Sequence, residues 1–239
     1  MGLQRYFPKY DDYGAYHWEE CDRSARRFNP PLVARYAAVV RRVSSGQRVL
    51  DVGCGDGYLM SLLSPLAESV TGIDPEPAAI ALANDKLKDY HNCSVNVGSC
   101  YDLEFPDNSF GSVVMADMIE HVDDDDLCVQ EASRVLSPEG TVIVTTPRRR
   151  QDRPIGRDHV REYTADELAQ LMRRWFAEIQ IVGLWPLNWS KLYRTKLGWR
   201  AIKILARHCG NPFDREGTDT DQFAMLLAVG RQPRKQTVG

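Results

Sequence analysis

Val49-Leu50-Asp51-Val52-Gly53-Cys54-Gly55-Asp56-Gly57 is the stretch that decides the reading of this chain. An apolar run, Arg48 to Val52, meets three alternating glycines, and Tyr58 to Leu66 continues with helical character. A strand that enters a helix through such a turn lets backbone approach a ligand without Cβ obstruction. By itself this is also an ordinary tight βα turn. A second feature narrows the choice: Ser69 to Ile73 reads as another strand, and Asp74 ends it about 20 residues after the turn, where a carboxylate accepts from both hydroxyls of a ribose. The spacing departs from the dinucleotide G-x-G-x-x-G pattern, and Asp51 just before the turn would repel a pyrophosphate while suiting a cationic ligand. NAD is therefore disfavoured.

Outward from this centre the chain alternates strand and helix. Pro75 to Lys88 offers an apolar face through Ala78, Ala79, Leu82, Ala83 and Leu87. Cys93 to Val97 and Phe110 to Met115 read as strands, with Pro106-Asp107-Asn108-Ser109 as the turn before the second. A helix over Leu127 to Leu136 ends at Ser137-Pro138-Glu139-Gly140, and Thr141 to Thr145 is a β-branched strand. Thr164 and Glu167 form a Thr-x-x-Glu capping box for a helix over Ala165 to Phe176. Ile179 to Leu184 and Phe223 to Val229 complete the strands. Strands separated by helix-length crossovers imply an α/β fold: a doubly wound, mostly parallel seven-stranded sheet with helices on both faces. Its ligands belong beyond the strands' carboxyl ends. The expected organisation is a single domain over 1–239, with residues 1–30 as an N-terminal cap or lid and 185–221 as an insertion before the last strand.

The apolar share of 43% and charged share of 26% over 239 residues are those of a globular chain, and no apolar run approaches the roughly 18 residues of a membrane span. Met1 to Tyr10 lacks the apolar core of a signal peptide, so the expected location is cytoplasmic. Six scattered cysteines with no C-x-x-C spacing fit reduced thiols rather than a disulfide framework or a zinc site. The net charge of −3 conceals an asymmetry, for Arg148 to Gly210 is strongly basic and the remainder strongly acidic. Such a region can attract an anionic substrate, an acidic membrane surface or nucleic acid, and can equally be a solvated face.

Five segments together resemble the class I S-adenosylmethionine-dependent methyltransferase superfamily, and particularly the branch that includes the ubiquinone-pathway O-methyltransferases. They are Leu50 to Gly57, Val70-Thr71-Gly72-Ile73-Asp74, Leu103 to Phe110, Ile119-Glu120-His121-Val122 and His159-Val160-Arg161-Glu162-Tyr163-Thr164, within a match spanning residues 48–184. The resemblance implies S-adenosyl-L-methionine as cofactor on a Rossmann-like methyltransferase fold. It implies that Asp51, Gly53, Cys54 and Gly55 line the methionine part, that Asp74 holds the ribose, and that Pro75 packs near the adenine. Ser99 and Cys100 take the adenine-edge position where relatives commonly carry Gly-Asp-Ala, so Ser99 replaces a carboxylate with a weaker acceptor. Ala116 and Asp117 would lie beside the methionine amino group and the transferred methyl. Phe110-Gly111 replaces the usual Phe-Asp, which reads as a surface change.

Methyl transfer asks the protein for alignment and, for a protonated oxygen or nitrogen, a base. His121 and His159 are the candidates, although each also suits anchoring a loop. Asp117-x-x-Glu120-His121 with His159 resembles the Glu-x-x-Glu-His plus His pattern of magnesium- or manganese-using relatives, small-RNA 3′-end methyltransferases among them. The shorter Asp stands first here, and metal-free relatives also carry Glu-His-Val, so no metal is expected. Tyr6, Phe7, Tyr10, Tyr13, Tyr16, His17 and Trp18 crowd the N-terminal segment, as an aromatic lid or a packed cap. Lys196, Arg200, Lys203 and Arg207 fall on one stripe of an amphipathic helix behind Trp185, Trp189 and Tyr193. That helix can cover an anionic or lipid-like substrate, touch a membrane peripherally, or pack on the core with solvated basic side chains. The leading expectation is methylation of an oxygen or nitrogen of a small molecule of quinone, lipid, glycan or secondary-metabolite type. A metal-using RNA methyltransferase and a non-catalytic cofactor-binding module are the alternatives, and nucleic acid is not the expected partner.

Overall fold

The computed structural model describes residues 9–151, 156 and 158–234. Three helices, α1 (Lys9–Tyr13), α2 (Tyr16–Cys21) and α3 (Pro30–Val40), precede the sheet. The chain then runs β1 (Arg48–Val52), α4 (Tyr58–Leu63), β2 (Ser69–Asp74), α5 (Pro77–Lys86), β3 (Cys93–Val97), β4 (Phe110–Ala116), α6 (Asp125–Val135), β5 (Leu136–Pro147), α7 (Ala165–Trp175) and β6 (Phe176–Pro186). Two further helices, α8 (Leu187–Tyr193) and α9 (Lys196–His208), lead to β7 (Glu216–Gly217) and β8 (Phe223–Pro233). Among the described residues no helix is long and apolar enough to cross a membrane.

The sheet order is β3-β2-β1-β4-β5-β8-β6-β7. The first five strands pair in parallel, and β8 runs antiparallel between β5 and β6. The seven expected strands are all present. An eighth, the two-residue β7, pairs with Gly183 and Leu184 at the edge, and carries too few residues to show a pattern. Strand β5 begins earlier than expected, because Leu136 pairs with Phe110 before a register shift leads to the pair Ser112 and Thr141. Side chains alternate between two cores, as strand geometry requires. Leu50, Val113, Met115, Val142 and Val144 pack toward α6 and α7, whereas Val49, Val114 and Ile143 pack toward α3, α4 and α5. Each such burial contributes about 1.5–3 kcal/mol.

Gly111 is not a neutral surface change: a Cβ there would stand 2.6 Å from the Gln47 side chain, whose Oε1 accepts from Ser112 Oγ. The capping box forms as read, with the Glu167 N–H donating to Thr164 Oγ1 and the Glu167 carboxylate accepting the Thr164 N–H. Thr164→Ala removes that first acceptor and is expected to cost about 1 kcal/mol, measured as a lower urea midpoint with an unchanged slope.

Candidate active site

β1 lies between β2 and β4, which is where the strand order reverses and where the carboxyl ends diverge to leave a crevice. The turn after β1 is fastened to β2 by its backbone. Gly53 N–H and Cys54 N–H both donate to Ile73 O, at 2.8 and 3.0 Å, and Gly55 N–H donates to Asp74 Oδ2 at 2.9 Å. Gly53 and Gly55 hold φ of +79° and +54°, and a Cβ at Gly55 would collide with the Tyr10 hydroxyl. Glycine is therefore required at 55 by conformation and by space.

The residues singled out for the cofactor and as bases line one cavity of about 390 Å³: Asp51, Gly53, Cys54, Gly55, Asp74, Pro75, Ser99, Cys100, Ala116 and Asp117, together with His121 and His159. Asp51 is buried, and its Oδ2 has no hydrogen-bond partner among the described residues. Burial, with Asp74 nearby, pushes its carboxyl up to about 7. Asp74 accepts N–H bonds from Gly55 and from Glu76, and burial raises it as well. Each of its oxygens keeps a second lone pair for a ligand hydroxyl.

Around the far wall the chain assembles groups that can handle a proton. His159 Nδ1 lies 2.9 Å from Glu162 Oε1, and His121 Nδ1 lies 3.1 Å from the Asp158 carbonyl. A carbonyl only accepts, so His121 carries its proton on Nδ1, and the Glu162 carboxylate favours the same tautomer at His159. In that tautomer Nε2 of each ring is the unprotonated nitrogen. They meet edge to face with centroids 5.0 Å apart, and burial lowers the His121 pKa. Glu120, buried and accepting from Thr146 Oγ1, is raised to about 7 by desolvation.

Glu120, His121 and His159 each place a ligand atom within 4.8 Å of the others, a set that can hold a divalent ion. Asp117, which the motif reading joined to them, stands apart. It accepts from Thr145 Oγ1, is ion-paired with the Arg35 guanidinium, and adopts φ of +51°. Arg35 is a cavity-lining residue that motif reading missed. It is buried, its guanidinium lies 5.2 Å from the Tyr36 ring and 5.8 Å from the Trp185 ring, and its Nε and the Trp185 Nε1 have no acceptor among the described residues. An arginine inside the apolar Pro30–Val40 helix was the available signal.

The aromatic N-terminal segment closes the opposite side. Tyr10 and Tyr16 line the cavity, whereas Tyr6 and Phe7 lie outside the described residues. The buried Asp56 receives the His17 backbone N–H and ring nitrogen at 2.9 and 3.0 Å, and its carbonyl accepts the Trp18 indole N–H. The cap is thus tied to the glycine turn itself.

The Asp51 environment has a measurable consequence. Between an ordinary carboxyl value of 3.8 and about 7, the folded state keeps a proton on Asp51 that the unfolded chain has released. Stability of the ligand-free protein is therefore expected to fall as pH rises through that window. Urea melts across the window should show the decline, and Asp51→Asn should flatten part of it, with Asp74 and Glu120, both raised by burial, contributing in the same direction.

The methyltransferase domain family matches residues 50–144. A probable S-adenosylmethionine-dependent methyltransferase of Mycobacterium tuberculosis is 32% identical over 76% of this chain and 65% of its own length. One of Mycolicibacterium smegmatis is 34% identical over 58% of this chain and 56% of its own. The chain therefore spans less than two thirds of these relatives. The mitochondrial ubiquinone biosynthesis O-methyltransferase of Bos taurus is 36% identical over 43% of this chain and 29% of its own length. Among solved structures, a Thermotoga maritima S-adenosylmethionine-dependent methyltransferase superposes with a TM-score of 0.66 at 18% identity, covering 93% of this chain and 98% of that one. Haemonchus contortus phosphoethanolamine N-methyltransferase 2, bound to phosphomonomethylethanolamine and S-adenosylhomocysteine, gives 0.67 at 19% identity over 95% of this chain and 58% of that one. Residues 50–144 thus match the methyltransferase domain family, and the chain as a whole has the fold of class I methyltransferases.

Proposed function

We propose that this protein transfers the methyl group of S-adenosylmethionine to an oxygen or nitrogen of a small molecule. The observation that carries the reading is the buried, unpartnered Asp51 carboxylate beside the glycine turn, in the cavity that also holds two oriented histidines. When bound, the cofactor supplies a methyl already activated on a sulfonium. Asp51 accepts from its ammonium group, backbone at Gly53, Cys54 and Gly55 lies along the methionine portion, and Asp74 takes the ribose hydroxyls. Pro75, Ser99 and Cys100 flank the adenine, and Ala116 and Asp117 border the transferred methyl. His159, fixed by Glu162, takes the acceptor's proton on Nε2, with His121 beside it.

Arg35 and Trp185 line the wall against which an acceptor molecule would lie. Relatives named for ubiquinone and for demethylmenaquinone support a quinone-type ring as the first class to test. In this reading residues 1–239 act as one methyltransferase domain, with 1–30 as its cap and 185–221 as its insertion. The experiment is incubation with methyl-labelled cofactor and fractionated extract, identifying the fraction that takes up label. Uptake into RNA would replace the small-molecule reading, and cofactor binding with no uptake anywhere would leave a binding module.

Asp74→Ala is expected to weaken S-adenosylhomocysteine binding about ten- to a hundredfold, since a hydrogen bond to a charged acceptor contributes about 1.5–3 kcal/mol. NAD should not bind. Calorimetry showing unchanged affinity would refute the ribose assignment.

His159→Ala should lower kcat by about 10²–10⁴-fold with cofactor affinity unchanged, and Glu162→Gln should shift the pH–rate profile. Glu120, His121 and His159 also support a second reading, transfer assisted by a divalent ion. Under the base reading a chelator leaves turnover unchanged. Loss of turnover restored by magnesium or manganese would make His159 a ligand instead.

A further inference from the structure

The insertion turns an unexpected side to solvent. The basic stripe read from the sequence does not stay together. Lys203 is buried, donates to Arg26 O and lies 4.1 Å from the Trp199 ring centroid, while Arg207 donates to Arg23 O and Ala25 O. These two bind the insertion to the N-terminal segment. Ile202 and Phe213 pack on Ala34 of α3, and Arg41 and Arg42 pair with Glu216. The inner face of α9 is thereby fully committed.

What remains outside is apolar and basic. Leu197 is 81% exposed, Ile204 60%, Leu192 42% and Trp199 37%. These are four of the six exposed large hydrophobics among the described residues, gathered within thirteen positions of the chain. Leu197, Ala201 and Ile204 fall at i, i+4 and i+7, so they form one face of the helix. Lys191, Arg194, Lys196 and Arg200 are exposed around them, and Arg150 continues the basic rim along a groove shared with Leu187 and Lys191. From Ile179 to Phe213 the sequence contains no Asp or Glu.

We propose that this face of α8 and α9 docks the protein on an anionic lipid bilayer, with α9 lying in the plane of the interface. Apolar side chains that enter the acyl boundary, ringed by cations that meet acidic headgroups, are the arrangement such a surface demands. The charge argues against a second copy as occupant, because a two-fold contact would set these cations against their own equivalents. The docking face is also joined to the cavity wall through packed side chains. Trp185 lines it, and packs at 6.4 Å from the Phe213 ring beneath α9. The docking itself does not depend on methyl transfer being the activity.

The test is sedimentation of the full chain with vesicles of phosphatidylcholine alone and of phosphatidylcholine mixed with phosphatidylglycerol. Binding to the mixed vesicles only, weakened by salt, is expected. Lys196→Glu with Arg200→Glu, and separately Leu197→Glu with Ile204→Glu, should each lower partitioning at least about tenfold. Unchanged S-adenosylhomocysteine affinity in both variants checks that the fold is retained. Equal partitioning to both vesicle types, no partitioning to either, or insensitivity to both double variants would overturn the proposal. So would a dimer in solution that the leucine–isoleucine variant dissociates.

Discussion

The joint between the carboxyl ends of β1 and β2 is the constraint on which the site depends. Two successive N–H groups converge on one carbonyl, Ile73 O, and the next glycine donates to the carboxylate that ends β2. This pins the turn open and fixes the separation of Asp51 and Asp74, two carboxylates whose pKa burial raises, that of Asp51 also through the nearby Asp74. Holding both there without a cation is unfavourable, since burial disfavours the charged form. A ligand bearing positive charge at one end and hydroxyls further along offsets that cost, which the proposed cofactor does.

The sheet builds only the floor of the cavity. One wall is the cap, held by Asp56, and another comes from α3 and the end of β6 through Arg35 and Trp185. Asp117 and Trp185 both adopt positive φ, at +51° and +63°. Conformations that L-residues rarely take persist where surroundings over-determine them. For Asp117 the restraint is visible in its bonds to Thr145 and its pairing with Arg35.

The fold was legible where local pattern and tertiary role coincide. β1 and β3 occupy the residues that their apolar runs suggested, and the Thr164 capping box is a purely local device. The lining of the crevice was equally legible, because those residues stand at fixed spacing from the glycine turn and the ends of neighbouring strands. Other features depend on partners distant in sequence. Lys203 and Arg207 read as part of one stripe with Lys196 and Arg200 because their acceptors, carbonyls at 23–26, are about 180 residues away. Asp117 read as a companion of Glu120 because the motif is contiguous, yet Arg35 draws it elsewhere. β7 exists only as an addition to the edge of β6, so no pattern of its own announces it.

The attachment of the cap has a kinetic meaning. Asp56 belongs to the glycine turn, yet it also secures His17 and Trp18, while Tyr10 rests directly over Gly55. A molecule lying along that turn cannot leave past α1 and α2 until those bonds break, whatever its own contacts contribute. Departure on that side would require local opening of the amino-terminal segment, which can proceed without loss of the rest of the fold.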